Sequence, residues 1–107
     1  MVEIKGTAIT MVRGDTAKIS VTIDDYTIQP EDRIRFAVKK KYTDTDVLIE
    51  KVIDNSTGIL QIDPEDTKPL GMGESKGKYV YDIEITQADG TVDTFIRGSL
   101  LLLEEVE

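Results

Sequence analysis

Apolar residues fall on alternate positions along much of this chain, and a period of two admits strands and little else. From Ala17 to Asp24, the residues Ala17, Ile19, Val21 and Ile23 alternate with Lys18, Ser20, Thr22 and Asp24. Such a segment has one dry face and one wet face. Arg33 to Lys39 repeats the pattern, with Ile34, Phe36 and Val38 on one side and Arg33, Arg35, Ala37 and Lys39 on the other. Lys78 to Thr86 sets Tyr79, Tyr81, Ile83 and Ile85 against Val80, Asp82, Glu84 and Thr86. Aromatic and β-branched residues at such positions pack well on a pleated surface. No segment carries apolar residues at helical spacing over the length of a full helix.

Shorter strands are expected at Thr7 to Val12, Leu48 to Ile53, Ile59 to Ile62 and Ser99 to Val106. A further one, Thr91 to Arg97, should pair antiparallel with Lys78 to Thr86 across the turn Ala88-Asp89-Gly90, because glycine supplies the positive φ that a tight hairpin needs. Arg13-Gly14-Asp15, Gln29-Pro30-Glu31-Asp32 and Asp54-Asn55-Ser56-Thr57-Gly58 are turns between strands. Asp63-Pro64-Glu65-Asp66-Thr67 breaks the rhythm as a single helical turn, with Asp63 as its cap and Pro64 at its first position, crossing from one sheet to the other. These elements define one domain over residues 1–107, since a chain of this length has no room for a second core. Seven or eight short strands with turns at this spacing predict an all-β fold, an immunoglobulin-like antiparallel β-sandwich with one short helical turn.

Composition removes whole classes of chemistry. The chain has no cysteine and no histidine, so it has no disulfide, no thiolate metal site, no thiol nucleophile and no imidazole base. A formal charge of -8 repels phosphate backbones and anionic lipid alike, which argues against nucleic acid and membrane as partners. The first residues do not form a secretory signal, and the longest aliphatic run, Leu100 to Leu103, is too short to span a bilayer. The expected location is the cytoplasm of the cell that makes the protein.

Several motifs read more simply as architecture. Arg13-Gly14-Asp15 spells an adhesion tripeptide but supplies a turn, and Asn55-Ser56-Thr57 matches a glycosylation acceptor in a chain without a secretory signal. The acidic groups Asp24 with Asp25, Asp44 with Asp46, and Asp63 with Glu65 and Asp66 lack the loop spacing of a calcium-binding hand. Lys39-Lys40-Lys41 guards a strand end against stray pairing. Asp82 and Glu84 share one wet strand face, and Gly71-Met72-Gly73 runs into Glu74 and not into a phosphate-binding lysine. No catalytic, cofactor-binding or metal-binding residue is assigned, and no cofactor is expected.

The last strand is different, because Leu100, Leu101, Leu102 and Leu103 fill both of its faces. Either the strand is central and covered on both sides, or one leucine face meets another subunit. These four leucines are the candidate interaction residues.

The order of several segments resembles small prophage-encoded proteins related to the N-terminal domain of phage baseplate upper proteins. The matching pieces are Arg13-Gly14-Asp15-Thr16, Glu31-Asp32-Arg33-Ile34-Arg35-Phe36 with Val38-Lys39-Lys40, Leu48-Ile49-Glu50-Lys51, Asp63 to Thr67, Gly77 to Ile83, and Gly98-Ser99-Leu100 to Val106. The resemblance implies an immunoglobulin-like, non-enzymatic structural or assembly module of a phage tail, baseplate or neck. Its partners would be other phage structural subunits or copies of itself, and it would enter the virion on assembly. The chain lacks the long C-terminal extension of a full baseplate protein, which argues against a receptor-binding or fibre-bearing role. A carbohydrate-binding or other immunoglobulin-like adhesion module is the alternative. With four tyrosines and no tryptophan, its aromatic platform is thin.

Overall fold

A computed structural model describes residues 2–23, 26–71 and 76–104. The fold is all-β. Its strands are β1 (Val2–Lys5), β2 (Ala8–Val12), β3 (Ala17–Ser20), β4 (Arg33–Lys39), β5 (Ile49–Ile53), β6 (Ile59–Ile62), β7 (Lys76–Thr86) and β8 (Val92–Leu103), with one helical turn, α1 (Pro64–Thr67). Six strands form one sheet in the order β1-β2-β8-β7-β4-β5, and β3 pairs with β6 in a second. Asp24, Asp25, Met72 to Glu74 and Val106, to which sequence reading assigned roles, lie outside the described residues.

The alternation decides which side chains meet. Ile34, Phe36 and Val38 of β4, Tyr79, Tyr81, Ile83 and Ile85 of β7, and Leu100 and Leu102 of β8 are all buried on one face of the large sheet. Ala17 of β3 and Leu60 and Ile62 of β6 join the same cluster, so residues of both sheets share one core. Phe36 is fully buried and its ring lies 5.4 Å from that of Tyr81. Burying large aromatic and aliphatic side chains in this way is the main favourable term holding such a domain together.

Several features depart from the sequence expectation, among them the strand β1. The segments expected at Thr91 to Arg97 and Ser99 to Val106 join as one 12-residue strand, β8. A register shift between Ile83 and Glu84 of β7 places Ile83 opposite Ile96 and Glu84 opposite Thr94. Phe95 is therefore the extra residue of a bulge, which reverses the phase of alternation partway along the strand. The wholly antiparallel pattern fails at one pair, since β2 runs parallel to β8, with Ile9 opposite Leu100 and Val12 opposite Leu103. This follows from the chain leaving the large sheet after β2 to build β3 in the second sheet. The strand expected as far as Asp24 ends as β3 at Ser20, beyond which Ile23 bridges to Tyr26.

The turns behave as their residues dictate. Gly90 has φ 89° at the β7–β8 reversal, where the Gln87 amide donates to the Thr91 carbonyl at 2.8 Å. The α1 turn links β6 of the small sheet to β7 of the large one. At its start the Asp63 amide donates to the Asp66 carboxylate at 2.7 Å, and Lys51 Nζ bridges Asp63 at 3.0 Å and Asp66 at 2.7 Å. The Asp66 hydrogen bond, with help from Asp63, raises the Lys51 pKa, so the ammonium stays charged where it ties β5 to the crossover.

At the end of the molecule where β4 begins, the Asp32 carboxylate accepts the Tyr26 hydroxyl at 2.6 Å and the Gln29 amide at 2.8 Å. The hydrogen bond to Asp32, then burial, pushes the Tyr26 pKa from 10.0 up to about 12. Because the folded value is the higher, the stability from this bond is complete below pH 10.0 and is lost as pH rises towards about 12. In an ultraviolet tyrosinate titration, the transition near pH 12 should vanish in Tyr26→Phe. Its survival in that variant would show that another tyrosine is responsible.

Candidate interaction surface

Strand β8 pairs with β7 along its length and with β2 at Leu100 to Leu103, so within the leucine run both edges are used and only the faces can meet a partner. Leu100 is fully buried and Leu102 is 2 % exposed on the core face. Leu101 and Leu103 point the other way and are half-buried, beside Thr10 and Val12 of β2 and Lys78 of β7. Of the four leucines, therefore, one pair builds the core and the other pair is left on the outer face of the large sheet. Strand alternation makes this division unavoidable.

The segment after β4 folds back over part of that outer face. Tyr42 plants its hydroxyl 3.0 Å from both the Tyr81 and Gly98 carbonyl oxygens, and Ala37 is thereby buried on an otherwise open face. The Arg97 guanidinium lies 4.1 Å from the Tyr42 ring centroid, a cation–π contact. Asp82 is the cross-strand neighbour of Arg97, yet the guanidinium takes the ring and forms no ion pair with Asp82. An open cleft of about 280 Å³ remains, lined by Ala37, Lys39, Tyr42, Val80, Asp82, Thr94 and Arg97 with backbone of Tyr81. On the core side of the same place, a Cβ on Gly98 would overlap the Thr7 carbonyl oxygen and come within 2.9 Å of Thr7 Cβ. That absence of a side chain lets the β1–β2 turn seat its carbonyl on the Tyr81 hydroxyl, 2.5 Å away.

Charge on the outer face runs against the composition of the chain. Among the described side chains, alternation places Arg33, Arg35, Lys39, Lys78 and Arg97 on it against Glu50, Asp82 and Glu84, in a protein of net charge -8. The acidic excess therefore lies elsewhere. Arg35 is committed to Glu50 at 2.5 Å and Glu84 at 3.3 Å, and the Glu50 hydrogen bond above all raises its pKa. Lys39 and Arg97 have no ion-pair partner among the described residues.

The other motifs serve the fold. The Gly14 amide donates to Thr67 Oγ1 at 2.8 Å and the Arg13 guanidinium donates to the Lys68 carbonyl, so the adhesion-like tripeptide is pinned to the α1 crossover. Asn55 Nδ2 donates to the Pro30 and Asp32 carbonyls at 2.7 and 2.9 Å, which ties two loops together. Lys40 lies 4.6 Å from the Tyr79 ring centroid. Among the described residues no three carboxylates converge where a cation could sit, and no helix is long and apolar enough to cross a membrane.

Sequence reasoning missed Tyr42 and Arg97. They stand 55 positions apart in the chain, and nothing local signals that the Tyr42 loop folds back to meet β8. No protein-family model matches the chain, and no curated protein matches it significantly.

Proposed function

We propose that this chain is an immunoglobulin-like sandwich module of a phage or prophage particle, in its tail, baseplate or neck, and that it binds other structural subunits or copies of itself without catalysing a reaction. It is made in the cytoplasm of a bacterial host and travels in the virion once assembled. The observation that carries this reading is the pair Leu101 and Leu103, half-exposed on an open sheet face at the centre of the largest sheet. Association would remove that apolar surface from water, while the acidic remainder keeps the free protein dissolved. The segmental resemblance to baseplate-type domains and the two sheets sharing one core point the same way. The missing imidazole and thiol weigh against catalysis.

Sugar binding is less well supported, because it needs aromatic rings free on a flat face. Tyr79 and Tyr81 are buried, Tyr26 is held by Asp32, and the Tyr42 ring is covered by Arg97. Light scattering over a range of concentrations should give masses above the 11.9 kDa of one chain, and Leu101→Asp should return them to that value. A wild-type monomer at every concentration that also bound immobilised glycans would reverse the ranking.

A further inference from the structure

We propose that the outer-face cleft between Lys39, Tyr42 and Arg97 receives the acidic end of the β7–β8 hairpin, Asp89 of the turn and Asp93 of β8, of a second copy of this chain. The inference rests on the outer-face reading above and adds which part of which molecule fills it. Three observations support that occupant.

The first is complementary charge. Arg97 lies over the Tyr42 ring with no hydrogen-bond or ion-pair partner among the described residues, and Lys39 shares the cleft. A stacked guanidinium is preorganised for a carboxylate, because its planar fork is already fixed and less rotamer freedom is lost on binding. Asp82 cancels one of the two positive charges, so the cleft keeps only a small positive surplus, which disfavours a dense anion such as a nucleic-acid backbone.

The second is the chemistry of the turn. Asp89 and Asp93 are both exposed, and neither has an ion-pair partner among the described residues. Asp89 Oδ1 accepts the Thr91 amide at 2.9 Å, which fixes the carboxylate and leaves its other oxygen to meet Arg97. That backbone hydrogen bond also holds the Asp89 pKa below its ordinary value, so the group is ionised at neutral pH.

The third is size. Ala88 and Gly90 flank Asp89 with almost no side-chain bulk, and the turn closes through the bonds of Gln87 with Thr91 and Gly90. A slim, rigid tip suits an open cleft of about 280 Å³.

Because face and tip are different surfaces, the contact is heterologous. Each copy offers one of each, so copies join in a ring or a row and not as a symmetric pair. Leu101 lies four residues and Leu103 six residues beyond Arg97 on the same face of β8, outside the lining of the cleft.

The test uses two variants of the full chain. Arg97→Glu disables the face, and the double variant Asp89→Asn/Asp93→Asn disables the tip while an asparagine oxygen can still accept the Thr91 amide. In sedimentation velocity, each variant alone should run as a folded monomer, with association weakened by about tenfold or more. An equimolar mixture should form a dimer and nothing larger, because one intact face meets one intact tip. Wild-type association should weaken as salt is raised from about 0.1 M to 1 M, where screening shortens from about 10 Å to 3 Å. If wild type associates but the tip variant does so equally well, or the mixture stays monomeric, this inference falls while the outer-face reading stands. A wild-type chain that is monomeric throughout removes both.

Discussion

Phe36→Ala is expected to lower the unfolding free energy by about 3–5 kcal/mol, the usual loss when a large aromatic leaves a close-packed core. Phe36 has no exposed surface, and it sits on β4 opposite Ile83 of β7 on one side and Lys51 of β5 on the other. Its ring packs against Tyr81 at 5.4 Å. The cavity would open between the two sheets, where β4 and β7 are already fixed by their ladder and cannot collapse into it. Single domains are commonly stable by only about 5–15 kcal/mol, so the variant should sit near the limit of folding. Denaturant unfolding would show this as a lower midpoint at an unchanged slope. A loss below about 1 kcal/mol would mean that the core is not centred on Phe36.

The leucine strand offers the second large effect, together with its own control. Leu100→Ala should cost about 2–5 kcal/mol, because the side chain is fully buried between Ile9 and Tyr79. Leu101→Ala removes the same atoms one residue further on, from the half-exposed outer face, and should cost less than about 1 kcal/mol. Self-association should respond in the opposite order, failing in Leu101→Ala at concentrations where Leu100→Ala remains folded and associated. Thermal melting and light scattering on the same two samples would separate the roles. Equal destabilisation by both substitutions would show that the outer face is covered within the monomer.

This division bears on how an acidic protein can associate at all. A net charge of -8 disfavours contact between like copies at low salt. An interface is reachable only if some patch escapes the general repulsion. The outer sheet face does so, carrying among the described side chains five basic against three acidic, on the same face as two leucines that the strand geometry leaves half-exposed. Steering and specificity would come from the charges, and the apolar area would slow dissociation.

Much of this protein was legible in its residues. The dry faces of β4 and β7 follow directly from Ile34, Phe36 and Val38 and from Tyr79 to Ile85, because alternate side chains on a strand must point to opposite sides. The Ala88-Asp89-Gly90 reversal and the crossover at Pro64 were also readable, since glycine and proline restrict the backbone locally and need no distant partner. Local chemistry also gave the Arg13-Gly14-Asp15 turn its role.

What the residues left open depends on long-range pairing. Four consecutive leucines carry no alternation, so only the register of β8 against Tyr79 and Ile9 determined that Leu100 and Leu102 enter the core. The bulge at Phe95 hid the continuity of β8: Val92 and Thr94 share the sequence parity of Ile96 and Leu100 but occupy the opposite face. The strand β1 has no distinguishing pattern in four residues and exists through its pairing with β2. The parallel match of β2 with β8, and the meeting of Tyr42 with Arg97, join segments separated by most of the chain. Periodicity fixes which side of a strand is apolar, but the neighbour that covers it is chosen by the energy of the whole packed layer.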